Sequence, residues 1–154
     1  MLAWKTLHVL SMITMIAAFT GAQIFYAAAM RRRDVHALAF VQGTLERLGI
    51  GVIALGGLVL GVVFGLITAA TGGFDFGARW LVVAYVLVAV FLVNAFLTGG
   101  KVVAAGKAAM EAEAGTGAAM EVTDSLVNRS AILLVVDVGL FALIVADMVL
   151  KPSF

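Results

Sequence analysis

Four stretches of this chain, residues 2–30, 48–70, 80–97 and 131–150, are long, apolar and nearly free of charge. A helix needs about 20 such residues to cross a hydrocarbon core about 30 Å thick. Inside lipid every backbone N–H and C=O must find a partner within the protein, which leaves helices and closed barrels as spanning structures. No alternating ten-residue pattern argues for a barrel. The chain therefore reads as an all-α membrane protein, a four-transmembrane-helix bundle forming one domain over residues 1–154. Its hydrophobic share of 64% agrees, since soluble domains lie near about 45–50%.

Charges mark where the spans end. Arg31-Arg32-Arg33-Asp34 closes the first and Lys151-Pro152 stops the fourth. The arginines follow the first apolar run, which is also longer than a secretory signal core, so it reads as an uncleaved anchor. Residues 35–42 join the first two spans, and Thr71 to Gly77 forms a turn before the third. Residues 101–129 are Ala-rich and charged, with Gly115-Thr116-Gly117 in the middle. They read as a helical cytoplasmic extension of the neighbouring spans, with Lys107, Glu111 and Glu113 on a solvated face.

Orientation follows from the basic residues. Arg31, Arg32, Arg33, Arg47, Lys101, Lys107 and Arg129 belong to the first and third connectors, against Lys5, Arg79 and Lys151 on the other side. Cytoplasmic loops are the ones enriched in Lys and Arg, so both termini are expected outside. Trp4 and Trp80 should then share one membrane surface. The setting this implies is a bacterial inner membrane. The net charge of +1 makes no case for nucleic acid, and the lack of cysteine removes thiolate and iron–sulfur chemistry.

Two sets of polar groups lie within the spans, where such groups are costly and point to function by default. Near the outer surface stand Lys5, His8, Asp147 and Lys151. Asp147 and Lys151 are four apart on one helix and can pair, and an Asp147 carboxylate beside His8 would orient the imidazole. Deeper and toward the inner side stand Gln23, Asn94 and Asp137. Asp137 is expected about a third of the way across, bonded to Gln23 or Asn94 or else protonated. Gly57, Gly61 and Gly65 recur every fourth residue of the second span, a spacing that lets two helix backbones approach closely.

His8, Ser11, Met12 and Met15 share one helical face. With Met148, that face offers imidazole and thioethers to copper(I), or His8 as an axial haem ligand. The competing reading is ordinary packing, in which methionine fills irregular gaps. His36, the second histidine, lies in the inner connector and does not complete a haem site with His8.

The opening Trp4-Lys5-Thr6-Leu7-His8-Val9-Leu10, Trp80 at the head of the third span, and the closing Asp147-Met148-Val149-Leu150-Lys151-Pro152 resemble the membrane-protein family catalogued as domain of unknown function 2269. The opening Lys-x-Leu-His is also similar to four-span CopD-type copper-resistance and HemJ-type protoporphyrinogen oxidase proteins, without the further inner-end histidine and charged positions of the latter. These likenesses imply a fold and a membrane location.

No nucleotide loop, zinc motif or nucleophile elbow is present. The reading that follows is a small accessory or structural subunit without chemistry of its own, embedded in the lipid bilayer with a protein partner or as a homo-oligomer. Its competitors are a haem- or copper-binding redox protein using His8, and a small proton-coupled transporter centred on Asp137.

Overall fold

The computed structural model describes residues 2–150, which are helical apart from the turns at 32–34, 48–49 and 72–78 and the connector 114–123. The helices are α1 (Leu2–Arg31), α2 (Val35–Arg47), α3 (Ile50–Thr71), α4 (Arg79–Asn94), α5 (Gly100–Glu113) and α6 (Asp124–Leu150). A single π turn, Ala95–Gly99, joins α4 to α5 without a break. Together they make one 35-residue helix, Arg79–Glu113, about 52 Å long. Among the described residues, that helix, α1, α3 and α6 are the four elements long and apolar enough to cross a membrane.

α1 is the central element, with α3 along one side and α6 and α2 on others, while α4 packs on α6. The α1–α3 contact is set by glycines. A methyl group placed on Gly57 would stand 2.9 Å from the Met15 nitrogen and the Ser11 carbonyl of α1. Gly61 takes the Met12 thioether in the same way, and Gly65 takes the His8 ring. The notches therefore receive one face of α1 residue by residue. Across the other side, Phe91 of α4 stacks edge-on to Phe19 of α1 at 5.2 Å and tilts against Phe141 of α6 at 4.9 Å. With Met15 and Leu140 these rings fill the middle of the bundle.

The antiparallel register sets Met15 against Gly57, Met12 against Gly61 and His8 against Gly65. Continued one for one, it puts Thr71 opposite Leu2 and Ile50 opposite Gln23. α3 is 22 residues long, about 33 Å, which matches the hydrocarbon thickness. The last eight residues of α1 run on past the start of α3 by about 12 Å.

That space is filled by α2, a helix where the sequence leads one to expect only a connector. Asp34 caps it, its carboxylate accepting from the Ala37 N–H at 3.0 Å, and such a cap contributes about 1 kcal/mol. Leu38, Ala39 and Gln42 form its buried face, the spacing of an amphipathic helix. Gly49, at φ +63°, makes the sharp break into α3; a residue with a Cβ is strained there. α2 lies against α5, and Tyr26, Met30, Leu38, Val102, Ala109 and Val122 close a well-sealed apolar core beyond the end of α3. The tightest core of the molecule is thus in this cap. At the opposite end, Trp4 stacks on Phe64 and Trp80 meets Phe74.

Candidate functional site

Asp137 sits in the middle of α6 with no solvent exposure at all. Two other helices supply its partners. Gln23 of α1 donates from Nε2 to one carboxylate oxygen at 2.5 Å, and Asn94 of α4 donates from Nδ2 to the other at 2.8 Å. The Thr98 hydroxyl, inside the π turn, donates to Asn94 Oδ1 at 3.2 Å. The π turn directly follows Asn94, and π turns inside α-helices are frequent at functional sites. One carboxylate therefore clamps α1, α4 and α6 together. Interhelical bonds of this kind contribute about 0.6 kcal/mol each on average in lipid, whereas leaving one buried partner unmet costs about 1–3 kcal/mol. With α3 as the ruler, this clamp lies at the level where α3 begins.

The clamp is not fully satisfied. Gln23 Oε1 and, one helical turn back, Thr20 Oγ1 are both buried without a hydrogen-bond partner among the described residues. A groove of about 490 Å³ passes Asn94 and Thr98 along Val86, Val90, Val93 and Val136. Its walls are almost wholly apolar, which suits lipid chains better than water.

A second polar chain lies one turn further along the same face of α1. The Tyr26 hydroxyl donates to Gln42 Oε1, and Gln42 Nε2 donates to Glu46 at 2.5 Å. Gly106 of α5 makes room for it, since a methyl there would fall 2.5 Å from Gln42 Oε1 and 3.1 Å from the Tyr26 ring. Sequence reading missed this set. The available signal was Gln42 itself, a polar residue on the otherwise apolar face of Leu38 and Ala39. Outside these cores, Arg33 pairs with Asp124, and His36 of α2 pairs with Glu113 of α5. The bond from Glu113 and its charge raise His36 above the ordinary imidazole value.

The opening stretch is organised by α3. His8 Nδ1 lies 2.7 Å from the Gly61 carbonyl oxygen, so the ring donates to main chain in that tautomer. Met12 and Met15 occupy the neighbouring notches, while Met148 stands on α6. No hydrogen bond or ion pair joins His8 to Asp147 among the described residues, and Asp147 keeps one buried oxygen without a partner. Lys5 is exposed near the start of α1, and Lys151 lies outside the described residues.

Four apolar helices, three of them joined by a buried carboxylate clamp, define an all-α, multi-pass integral membrane protein. The chain belongs to the family described as predicted integral membrane protein (DUF2269), which matches residues 2–152. No curated protein and no solved structure matches it. The comparisons show this family and not the CopD-type or HemJ-type proteins.

Proposed function

We propose that the chain is a non-catalytic accessory subunit of a larger assembly in the bacterial inner membrane, with both termini outside and the α2–α5 cap in the cytoplasm. One observation carries this reading: Asp137 and His8, the ionisable side chains expected to do chemistry, bond to other helices of the same chain. Asp137 joins α1, α4 and α6, and His8 joins α1 to α3. Such bonds fix helix positions. Arg31, Lys101 and Arg129 lie toward the cap end of the long helices and Arg47 lies in α2 of the cap, which supports the orientation. The cap offers a rigid, charged surface for a partner, with Lys107, Glu111 and Glu121 exposed.

The test is gentle extraction from native membranes followed by native mass spectrometry. A defined companion at fixed stoichiometry is expected. A chain that always runs alone at its own mass, after extraction in several mild detergents or native nanodiscs, overturns the proposal. For His8, the seating of its ring over Gly65 supports a packing role; a Soret band or bound copper in the purified protein would reverse that choice.

A second reading rests on the unpartnered Gln23 Oε1 and Thr20 Oγ1 beside Asp137, which would accept from a passing proton carrier. It makes the chain a small proton-coupled transporter. Uptake lost in a folded Asp137→Asn variant supports it, and unchanged uptake dismisses it.

A further inference from the structure

The Asp137 carboxylate is buried among neutral neighbours. The charged groups of the elements packed around it stand well away: Arg31 eight residues beyond Gln23 on α1, Lys101 seven beyond Asn94 on the α4–α5 helix, and on α6 itself Arg129 eight residues before and Asp147 ten residues after. Each lies about 10–15 Å off along its helix. α3 carries no charged residue, and at the end of α2 Glu46 accepts from Gln42 while Arg47 is exposed. A lone carboxylate inside a span is costly and is relieved by a cation or by a proton. Asp137 makes no ion pair among the described residues.

Two further oxygens beside the carboxylate are unmet. Gln23 is 5% exposed; it donates to Asp137 from Nε2 and leaves Oε1 buried without a partner. Helical side chains lean back over the preceding turn, which lays the Gln23 amide over Thr20, whose Oγ1 is buried and unpartnered as well. An amide carries its oxygen and nitrogen in one plane, so a half-turn exchanges an acceptor for a donor. With Asp137 ionised, Nε2 must face the carboxylate, and both Oε1 and the Thr20 hydroxyl go without partners. With a proton on Asp137, the acid hydroxyl donates to Oε1, and Nε2 turns to the Thr20 oxygen. Asn94 still donates to the other carboxyl oxygen, and Thr98 to Asn94. Each oxygen left unmet in the ionised form then has a partner.

We propose that Asp137 is a reversible proton-binding site and that the Gln23 amide turns with the proton, its nitrogen facing Asp137 in the ionised form and Thr20 in the protonated one. The proton comes from water and returns to it. The inference rests on the proton-linked reading of this site and names the groups that hold the proton there: Asp137 binds it, and Gln23 and Thr20 position it. The bound proton removes the buried charge and leaves α1, α4 and α6 joined by neutral hydrogen bonds.

The test is infrared difference spectroscopy of the full chain in lipid, equilibrated over the pH range in which its helix content is constant. The carbonyl band of a protonated carboxylic acid is expected to grow as pH falls, and subtraction of the Asp137→Asn spectrum isolates the part due to Asp137. Thr20→Val removes a partner that only the protonated form uses, so half-protonation should need a proton concentration about fivefold higher, the worth of one hydrogen bond. Thr20→Ser keeps the hydroxyl and should keep the wild-type titration. Should Asp137→Asn fail to fold, the Thr20→Val and Thr20→Ser spectra carry the test, since only an acid linked to Thr20 titrates differently in the two. An Asp137 band that is absent or constant throughout overturns the proton site, and the transporter reading with it. A titrating band that Thr20→Val leaves in place overturns the amide turn and leaves the transporter reading standing.

Discussion

The glycine notches of α3 give a graded prediction, because each faces a different kind of neighbour. At Gly57 a Cβ would lie 2.9 Å from two backbone atoms of α1, which cannot rotate away. To reach ordinary contact at 3.4 Å, α1 and α3 must part by about 0.5 Å, and a gap of that size forfeits about a quarter of the dispersion energy of each facing pair. Overpacking of this kind costs about 1–3 kcal/mol, partly offset by the gain of about 1 kcal/mol when alanine replaces glycine in a helix. At Gly61 the neighbour is the flexible Met12 thioether, so the cost is smaller. At Gly65 it is the His8 ring at 3.0 Å, which is held by its bond to Gly61 and yields less readily. Gly56 has nothing within 4 Å, so alanine there is neutral or stabilising by up to about 1 kcal/mol. The expected order of stability is G56A, then G61A, G65A and G57A. Denaturant unfolding in mixed micelles measures it, and Trp4 fluorescence reports the α1–α3 separation directly, since Trp4 stacks on Phe64 at 5.9 Å. Equal stability of G57A and G56A would refute the notch argument.

Three further outcomes are expected. Asp137→Leu strands the Gln23 and Asn94 amide donors in a buried site and should cost about 2–4 kcal/mol, whereas in Asp137→Asn the Gln23 amide can turn its free oxygen inward and limit the loss to about 1 kcal/mol; thermal unfolding that ranks the two variants equally contradicts the clamp. Gly106→Ala drives a methyl into Gln42 and Tyr26 and should loosen the cap by about 1–3 kcal/mol, seen as faster hydrogen exchange in α2 and α5 with α3 unchanged. The His36–Glu113 pair makes the α2–α5 contact pH-dependent: the folded-state pKa is raised above 6.5, so its contribution is complete below about pH 6.5 and is lost as pH rises through the folded value. Exchange in α2 should therefore rise with pH beyond the intrinsic amide trend, and His36→Gln should remove that excess; an excess that persists in the variant refutes the role of the pair.

The four spans were legible because lipid imposes the same demand on every spanning helix, and hydropathy alone registers it. The fall of Gln23 and Asn94 on Asp137 was legible for a related reason, since a carboxylate at that depth requires donors and these were the polar groups near it. α2 escaped because, at 13 residues with a buried glutamine, it satisfies no length rule for a span. Its signals were local: Asp34 as a cap, then Val35, Leu38, Ala39 and Gln42 at helical spacing. The partner of His8 could not be read at all. Side-chain partners can be proposed from depth, and Asp147 was the residue depth suggested. The actual acceptor is the carbonyl of Gly61, a group every residue carries. Only the close approach allowed by the glycines brings it within reach.

The position of the Asp137 clamp follows from the unequal lengths of the helices. Along the membrane part, α1 is covered by α3, and the notch contacts hold that pair without polar groups beyond His8. Where α3 begins, that cover stops, while α1, the α4–α5 helix and α6 continue into the cap. At this level the apolar residues around α1 change over from those of α3 to those of α2 and α5. Gly49 makes the change abrupt, because α2 and α3 do not form one straight helix. A point where the packing partners switch is where helices would slide most easily against one another. The carboxylate bonded to α1 and α4 stands at that point, and the π turn beside it carries Thr98, which bonds to Asn94. The clamp thus joins the membrane bundle to the cap: one turn beyond Gln23 on α1, Tyr26 makes its bond to Gln42 of α2.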